Sequence, residues 1–516
     1  MKLTILSTSD THGFVLPTNY VKRHQDLPFS LAKAKSTLDQ LRQAATGPVL
    51  TIENGDYLQG SSLAYYAARI KRQPTLETAA YNAVGYDAGI IGNHEFNYGR
   101  EYLSSAIKTL NYPVLCANIL AGDEPAFGAP YQVFEKAGVK IAVLGLTTSY
   151  IPHWEGPAHI AGLAFNDVVE TARQWVPRLR ELADVVVVAY HGGFERDLTT
   201  GQPTERLTGE NVGYELTQIP GIDALVTGHQ HREIAAVVNG VPVTQPGYRG
   251  QDVGVITLEL TASSTGYQVV AGSGTAALAP TGDQPADAAV VNSVAAVQTA
   301  TEDWLDSPLG HVKGDMTIAD PAAARIKESA YIEFINRVQM AATGTDIAGT
   351  ALFNNEGTGF ASQITMRDVV TNYIYPNTLA VLKLSGADLK AALEQVAEFF
   401  SLDDGQLVVT PRFLKPKPQL YNYDMYEGIT YTLDIRQPVG QRVTQLLYHG
   451  QPVVAAGTYE VTMNSYRAAG GGNFAMFSPA KIVRENQKDM TELIADYLQE
   501  HPEITASANH NFTIQA

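Results

Sequence analysis

The stretch AGIIGNHEFNYG, residues 88–99, places an asparagine and a histidine directly after a short apolar run. The run Ala88–Ile91 has the length and composition of a buried β-strand. A bare turn has no need of both Asn93 and His94, so GNHEF is more specific than an ordinary loop sequence. The stretch therefore indicates polar groups presented at the end of a buried strand.

Four more polar clusters follow apolar runs in the same way. They contain Asp10 and His12 in STSDTHG, Asp56 in ENGDYLQG, His191 in VAYHGG, and His229 and His231 in VTGHQH. The preceding runs include Leu3–Leu6, Val185–Ala189 and Ala224–Val226. Ligands that end successive strands of an α/β sheet converge at its carboxyl edge. The joint occurrence of the clusters predicts one shared site.

The residue types in these clusters suit a pair of divalent metal ions. A two-metal hydrolase needs anionic and neutral ligands around ions about 3.5–4 Å apart. Residues two apart in an extended segment share a face, so both members of Asp-x-His and of His-x-His should point to one side. Asp56 can bridge two ions through its two oxygens, and Asn93 offers a neutral oxygen. The absence of a thiolate suits Mn²⁺, Zn²⁺ or Fe²⁺.

The chain of 516 residues is long enough for two domains. Apolar runs alternate with helical segments such as Thr75–Val84 up to about residue 260, which predicts strands with packed helices. From Thr261 small residues and proline dominate, and we interpret this segment as an edge hairpin passing into a linker. Ala288–Leu305 is expected to form one helix. We place the domains at residues 1–285 and 310–516, with a linker helix at 286–309.

The composition narrows the classes of function. Hydrophobic residues make up 45% and charged residues 17%, as in a folded, soluble protein. No stretch is apolar for the roughly 18 residues that a membrane span requires. The net charge of −17 would repel nucleic-acid polymers, whereas a small anionic substrate can bind beside metal cations. Because no signal peptide is recognisable, we expect a cytoplasmic protein; an exported protein with its signal removed is the alternative. We also expect a monomer.

These motifs resemble the calcineurin-like metallophosphoesterase superfamily in the N-terminal half. The whole chain resembles the bacterial 5′-nucleotidase family, and within it the 2′,3′-cyclic-nucleotide 2′-phosphodiesterase/3′-nucleotidase branch. The resemblance implies an α/β (α+β) fold, with an N-terminal four-layer αββα sandwich joined by the linker helix to a second α/β domain that binds the nucleotide. It implies one metal held by Asp10, His12, Asp56 and His231, and another held by Asp56, Asn93, His191 and His229.

The resemblance also implies that His94 is not a ligand but contacts the phosphoryl group in the transition state. In the 5′-nucleotidase branch an aspartate follows the GNHEF motif and forms a dyad with this histidine. Asn97 stands in that place here. An asparagine can orient His94 but does not stabilise its protonated form as a carboxylate would. With asparagine at this position, the motif resembles that of the cyclic-phosphodiesterase branch.

The second half carries a candidate nucleotide site. A base bound by stacking needs two aromatic faces, each worth about 1–3 kcal/mol. The family uses two phenylalanines, and alignment on the downstream LSG and GGG motifs puts Tyr375 and Tyr466 in their places. The alternative for each tyrosine is packing at a strand end. Gly471 lies in the glycine run that lets the backbone approach a ligand, and Asn354 (or Asn355) falls where the family has a base-contacting asparagine.

The arginines that the family uses for a 5′-phosphate are absent from the matching stretch NNEGTGFAS. We therefore expect a dimetal phosphohydrolase that opens 2′,3′-cyclic nucleotides to 3′-nucleotides and then dephosphorylates 3′-nucleotides to nucleosides. A 5′-nucleotidase or UDP-sugar hydrolase is the first alternative. A nucleotide-binding module without catalysis is the second, and its signature would be a missing ligand, whereas the ligand set is complete.

Overall fold

The computed structural model describes residues 1–205, 207–264, 266–375, 377–415 and 417–516. The chain forms two compact units, one of Met1–Pro152 with Gly156–Thr301 and the other of His153–Glu155 with Glu302–Ala516. The domain boundaries placed at residues 285 and 310 stay predictions. Among the described helices, none combines the length and hydropathy needed to cross a bilayer.

Two β-sheets form the centre of the first unit. The first contains, in spatial order, Tyr267–Val269, Asp252–Ala262, Lys2–Thr8, Val49–Glu53, Ala88–Ile90 and Val114–Leu115. The second contains Glu233–Val238, Val241–Pro246, Ala224–Val226, Val185–His191, Val139–Thr147 and Tyr131–Lys136. In the first sheet the four strands from Lys2–Thr8 to Val114–Leu115 are parallel, and in the second the four from Val241–Pro246 to Val139–Thr147 are parallel. The remaining strands of the two sheets pair antiparallel.

The strand Val185–His191 shows why the sequence produces stacked layers. All seven residues are buried, as its unbroken apolar run predicts. Val185, Val187 and Ala189 pack into the core that the two sheets share. Val186 and Val188 point the other way, toward the helix Val168–Leu182.

Helices cover the outer faces of the two sheets, which gives the predicted αββα sandwich. The helices of the first unit are Leu31–Ala44, Ser62–Tyr65 continued by the π-turn Tyr66–Lys71, Thr75–Val84, Arg100–Thr109, Val168–Leu182 and Gly213–Leu216. Short 3-10 turns lie at His94–Phe96 and Ile151–His153, and a small sheet joins Ile119–Ala121, Glu124–Pro125 and Ala164–Phe165. Two expected helices have the predicted bounds, Thr75–Val84 and Ala288–Leu305.

The segment after Thr261 contains more regular structure than the expected linker. The hairpin is present, with Tyr267–Val269 paired to the end of Asp252–Ala262. Thr275–Pro280 then pairs antiparallel with the other end of the same long strand. Its small residues give a weak strand signal by themselves. Pairing with an apolar strand therefore determines the conformation of this segment. The expectation that the hairpin passes directly into a linker was wrong.

The second unit is built around a five-stranded sheet, in the order Asp424–Glu427, Ile347–Ala351, Thr458–Asn464, Thr378–Ser385 and Ile482–Asp489. A second sheet contains Gln451–Pro452, Val443–Tyr448, Ile429–Asp434 and Phe512–Gln515, and a third contains Gln363–Thr365, Pro308–Lys313 and Glu503–Thr505. Two further sheets have two strands each: one pairs Met316–Thr317 with Gly359–Phe360, and the other pairs Phe400–Asp403 with Gln406–Val409.

Six α-helices lie wholly within the described residues of the second unit, and all except Ala330–Thr343 begin at a residue whose side chain caps the first turn. They are Pro321–Ile326, Ala330–Thr343, Met366–Asn372, Gly386–Ala397, Ser465–Ala468 and Met490–Glu500, with 3-10 turns at Pro411–Phe413, Leu420–Asn422 and Pro479–Lys481. Capping boxes start three of them, at Thr365, Ser385 and Asp489, where the cap and the residue three positions later exchange hydrogen bonds. The mixture of strands and helices agrees with the expected second α/β domain.

Candidate metal centre

The predicted ligands all lie at or just beyond the carboxyl ends of inner strands. Asp10 and His12 follow Lys2–Thr8, Asp56 follows Val49–Glu53, and Asn93 follows Ala88–Ile90 in the first sheet. His191 is the last residue of Val185–His191, and His229 and His231 follow Ala224–Val226 in the second sheet. The two sheets thus bring clusters from five parts of the sequence together in the first unit.

The ligating atoms gather into two groups. Asp10, His12 and His231 offer atoms that all lie within 4.8 Å of one another, and Asp56, His191 and His229 form a second such group. Asn93 joins the second group, because its Oδ1 lies 2.8 Å from Nδ1 of His229. The first group has three members of the first predicted ligand set, and the second has all four of the other.

Asp56 lies between the groups. Its Oδ2 is 3.2 Å from His191 Nε2 in one group and 4.0 Å from His12 Nε2 in the other. Its Oδ1 accepts the backbone N–H of His94 at 2.7 Å. This position is the one that a bridging carboxylate needs.

The backbone at the site differs from the expected extended form. Asp10, His12 and Asp56 have φ between 50° and 58°, and His229 and His231 have φ of 68° and 55°. The argument from a shared strand face was therefore wrong, although the side chains do converge. Non-glycine residues in this region are strained by about 1–3 kcal/mol each, and such strain concentrates at functional sites.

Two glycines allow the loops to approach one another. A Cβ on Gly92 would lie 2.2 Å from Asp56 Oδ1, and a Cβ on Gly228 would lie 2.2 Å from Ser9 Oγ and 2.7 Å from Asp10 Oδ2. Asp56 and Asp10 are predicted ligands, and the Ser9 hydroxyl donates to Asp10 Oδ2. A methyl group at either glycine would therefore disturb a predicted ligand. Close approach of the backbone, more than turn conformation, therefore explains these glycines.

Glu95 holds two of these loops together, a role that motif reading did not assign. Its Oε2 accepts the backbone N–H groups of Asp56 at 2.8 Å and Gly92 at 2.6 Å. Its Oε1 accepts those of Tyr57 and Leu58 at 2.6 and 3.0 Å. Burial and the nearby Asp56 carboxylate raise the pKa of Glu95. An acidic residue is unusual in a buried turn, so the glutamate inside GNHEF was the feature of the sequence that could have indicated this role.

The electrostatics of the site fit a cation. Burial opposes ionisation of Asp56, but His191, His94 and His12 hold its pKa well below the ordinary value. Burial likewise disfavours the charged form of His191, yet the Asp56 carboxylate raises the pKa of this histidine to about 10. The buried carboxylate favours protons on the surrounding imidazoles. A bound metal ion would take the place of those protons and supply the positive charge that the carboxylate attracts.

The polar atoms at the centre also fit this interpretation. Asp56 Oδ2 and His191 Nε2 are buried, and within the described residues neither makes a well-directed hydrogen bond. His12 Nε2 and His231 Nε2 lie only 3.0 Å apart. Converging lone pairs of this kind are expected where metal ions bind, and the donor set of carboxylate, amide and imidazole suits divalent cations.

His94 and Asn97 lie beside the two groups. His94 Nδ1 is 2.7 Å from Asn97 Oδ1, and because an amide oxygen only accepts, Nδ1 is the donor. The His94 ring is 5.1 Å from the ring of His12. His94 thus lies next to the first ligand group with Asn97 hydrogen-bonded to its ring, and the roles of both residues in catalysis stay predictions. The other histidines outside the ligand set are exposed or only partly buried.

The predicted base-binding residues are in the second unit. Tyr375 meets Phe353 edge to face at 5.4 Å, and Tyr466 meets Tyr421 in the same way at 6.0 Å. Gly471 lies against the Tyr466 ring, since a Cβ there would be 2.6 Å from ring carbons. The role of each residue in stacking stays a prediction.

Two arginines that the sequence did not single out support these loops. Arg467 is fully buried and binds the Asp424 carboxylate at 2.7 Å and the Tyr421 carbonyl at 2.6 Å. Arg325 donates to the carbonyls of Leu352 and Asn354 at 2.8 and 3.1 Å.

The side-chain Oδ1 of Asn354 accepts the N–H groups of Glu356 and Gly357, so this atom serves its own loop. The contact of Asn354 with a base stays a prediction, and its Nδ2 is the side-chain group that these two hydrogen bonds do not use.

Two protein families match the chain. Residues 3–233 match the calcineurin-like phosphoesterase family, and residues 308–479 match the 5′-nucleotidase C-terminal domain. The first match contains every predicted metal ligand, and the second contains Tyr375, Tyr466, Asn354 and Gly471.

Known proteins resemble the chain over nearly its full length. The 2′,3′-cyclic-nucleotide 2′-phosphodiesterase/3′-nucleotidase of Salmonella typhimurium is 30% identical, with 99% of this chain and 88% of the relative aligned. The trifunctional nucleotide phosphoesterase protein YfkN of Bacillus subtilis is 27% identical, and this chain spans only 39% of its length. A Staphylococcus aureus protein named as a 5′-nucleotidase, solved in complex with α-ketoglutarate, has a TM-score of 0.94 and 37% identity, with 100% of both chains covered.

The two family matches lie in the order in which the two units occur, and the Salmonella relative aligns across both of them. The chain belongs to the bacterial 5′-nucleotidase family, in the branch of the 2′,3′-cyclic-nucleotide 2′-phosphodiesterase/3′-nucleotidases.

Proposed function

We propose that the protein hydrolyses phosphoesters of nucleotides, opening 2′,3′-cyclic nucleotides to 3′-nucleotides and then releasing phosphate from 3′-nucleotides. The observation that carries the proposal is the pair of ligand groups with Asp56 between them. Three relatives that bear the name 2′,3′-cyclic-nucleotide 2′-phosphodiesterase/3′-nucleotidase, at 28–30% identity over 99% of this chain, support the choice of substrate.

The ligand groups are proposed to hold two divalent cations, one with Asp10, His12, Asp56 and His231 and the other with Asp56, Asn93, His191 and His229. When bound, such a pair supplies Lewis-acid stabilisation of phosphoryl charge and acidifies water. Mn²⁺, Zn²⁺ and Fe²⁺ all accept oxygen and imidazole ligands, and the choice among them is left to experiment.

The chain itself supplies orientation and a hydrogen-bond donor. Asn97 accepts the Nδ1–H of His94, which leaves Nε2 as the nitrogen available to the substrate; when the ring carries a second proton, Nε2 can donate to a phosphoryl oxygen as negative charge develops there. In the first round water adds to phosphorus, the bond from phosphorus to the 2′-oxygen breaks, and that oxygen takes up a proton. In the second round water again adds to phosphorus, the bond to the 3′-oxygen breaks, that oxygen takes up a proton, and phosphate and a nucleoside are released.

The second unit is proposed to hold the base between Tyr375 and Tyr466. Stacking on both faces accepts any base, because every base presents a π-face. The net charge of −17 disfavours nucleic-acid polymers, so we propose free nucleotides as substrates. We also propose a monomer as the working form.

A 5′-nucleotidase is the second candidate, favoured by the name of the Staphylococcus aureus structure at 37% identity. Asn97 and the absence of arginines from residues 354–362 favour the cyclic branch instead.

A comparison of 2′,3′-cyclic AMP, 3′-AMP and 5′-AMP in the presence of Mn²⁺ decides between them. We expect the first two to be turned over with the higher kcat/KM. Asp56→Asn should abolish turnover, while Asp123→Asn in an exposed turn should not. A preference for 5′-AMP would reject the proposal.

A further inference from the structure

His229 presents its ring differently from two other predicted ligands. His12 and His191 direct Nδ1 at backbone carbonyls, of Gln59 at 2.8 Å and of Asn54 at 2.7 Å. Those bonds leave Nε2 of each ring facing the site. His229 is reversed: its Nδ1 lies 2.8 Å from Asn93 Oδ1, and its Nε2 lies 2.9 Å from Oε1 of Glu210.

The partner of His229 Nε2 fixes which nitrogen can bind a metal. An ionised carboxylate only accepts hydrogen bonds, so the proton must be on Nε2 of the imidazole. A neutral imidazole has one N–H, which leaves the lone pair on Nδ1, the nitrogen beside Asn93. Metal-binding histidines commonly donate their second nitrogen to a carboxylate or a carbonyl, and the partner sets the tautomer and ring orientation.

Glu210 is itself held by buried groups. Its backbone carbonyl accepts the Thr148 hydroxyl at 2.7 Å and the Tyr190 hydroxyl at 3.1 Å. The next residue, Asn211, accepts the backbone N–H of Gly193 at 2.8 Å. Tyr190 and Gly193 flank His191, so the segment that carries Glu210 is tied to the strand end that carries another predicted ligand.

If the contact between His229 and Glu210 were an ordinary surface ion pair, it would contribute little to the stability of the site. The Glu210 side chain is 32% exposed, and pairs between exposed groups contribute about 0–1 kcal/mol. His229, however, is only 8% exposed on its side chain, and its backbone N–H donates to both carboxylate oxygens of Asp10 at 3.0 Å. The backbone of His229 is thus fixed, and the remaining freedom of its ring is rotation, which the bond to Glu210 opposes.

We propose that Glu210 is a positioning residue of the second ligand group, which holds His229 with Nδ1 directed at the ion shared with Asn93. The inference rests on the proposed metal centre and extends it by one side chain. Unlike the backbone carbonyls that orient His12 and His191, this partner can be removed by substitution.

The test is a Mn²⁺ titration of the full chain, followed by electron paramagnetic resonance and calorimetry, for the wild type, Glu210→Ala and Glu210→Gln. Loss of an outer partner of this kind weakens metal binding about 10–100-fold. We expect that loss at one of two ions in Glu210→Ala. Glu210→Gln keeps an acceptor oxygen and should bind both ions nearly as the wild type does.

Glu215→Ala is the matched control, since it removes the same charge from the short helix Gly213–Leu216 that follows. If Glu210→Ala is poorly folded, Glu210→Met keeps the bulk without the acceptor and replaces it in the comparison. Unchanged affinity for both ions in the variant without an acceptor would overturn the inference. Equal weakening in Glu210→Gln would also overturn it, because charge or direct ligation would then be responsible.

These results are separable from the proposed function, because the titration uses no nucleotide. A wild type that binds two ions but prefers 5′-AMP would reject the proposed substrate and leave the role of Glu210 intact. If the wild type hydrolyses 2′,3′-cyclic AMP and Glu210→Ala binds both ions as tightly as the wild type, the role of Glu210 is rejected and the proposed substrate stands.

Discussion

Replacing Glu95 by glutamine should damage the first unit more than its conservative chemistry suggests. The carboxylate accepts four backbone N–H groups at 2.6–3.0 Å, from Gly92, Asp56, Tyr57 and Leu58. A glutamine offers one acceptor oxygen, and its NH₂ group faces two of those donors instead. Two buried N–H groups therefore lose their acceptor.

The size of the effect follows from this count. A buried donor left unsatisfied costs about 1–3 kcal/mol, so two cost roughly 2–6 kcal/mol. Part of this is offset, because a neutral amide is easier to bury than a carboxylate whose pKa burial has raised. We expect a net fall of about 2–4 kcal/mol in the free energy of unfolding. At about 2–4 °C per kcal/mol, the Tm of the first unit falls by roughly 4–16 °C.

Scanning calorimetry of the metal-free protein measures this change. Glu101→Gln is the control, since Glu101 is an exposed glutamate in the helix Arg100–Thr109. Metal affinity should fall as well, because Asp56 and Gly92 lose their shared support. A Glu95→Gln protein within about 0.5 kcal/mol of the wild type, the range of ordinary surface changes, would refute the argument.

Three further changes test other parts of the structure. Burial raises the pKa of Glu77 far above 4.5, so the folded state keeps a proton that the unfolded state loses, and stability falls as pH rises above 4.5. Glu77→Gln should remove the contribution of Glu77 to that slope, up to about 1.4 kcal/mol per pH unit in urea unfolding followed across pH, while Glu53 and Glu95, whose pKa values burial also raises, keep theirs. Asn97→Ala should lower kcat by about 10–100-fold with little change in KM, because His94 loses its Nδ1 partner. Gly471→Ala should displace Tyr466 and raise KM about 5–150-fold, from the 1–3 kcal/mol of one stacking contact.

Controls separate these effects from general loss of structure. Asn97→Asp keeps an acceptor for His94 and should retain more activity than Asn97→Ala. Gly156→Ala adds a methyl group where no atom lies within 4 Å, and it should leave KM unchanged. A pH slope in Glu77→Gln as steep as that of the wild type, or an unchanged KM in Gly471→Ala, would contradict the respective prediction.

Much of the fold was predictable because burial on both faces leaves a clear pattern. The strand Val185–His191 is apolar throughout its first five residues, since both cores need apolar side chains. The position of the polar clusters after such strands was enough to predict convergence, because parallel strands share a carboxyl edge. The helix Ala288–Leu305 was predictable from composition and from the proline that follows it.

The conformation at the site was not predictable from local sequence. Asp10, His12 and Asp56 adopt left-handed backbone angles, which residues other than glycine adopt infrequently, so local preference indicated extended backbone instead. The contacts that stabilise them come from distant segments, such as the hydrogen bond from His12 N–H to the Asp56 carbonyl at 2.8 Å. The contacts of Glu95 and Glu210 also join distant segments; the acidic residue inside GNHEF was a local signal for Glu95, and Glu210 had none.

The metal content of the purified protein tests the central claim most directly. Material that has never met a chelator, or that has been reconstituted with Mn²⁺, should contain two ions per chain by elemental analysis. Asp56→Asn, which weakens the ligand shared by both groups, should retain fewer. A wild-type protein that holds one ion or none, and takes up no more on reconstitution, would contradict the account.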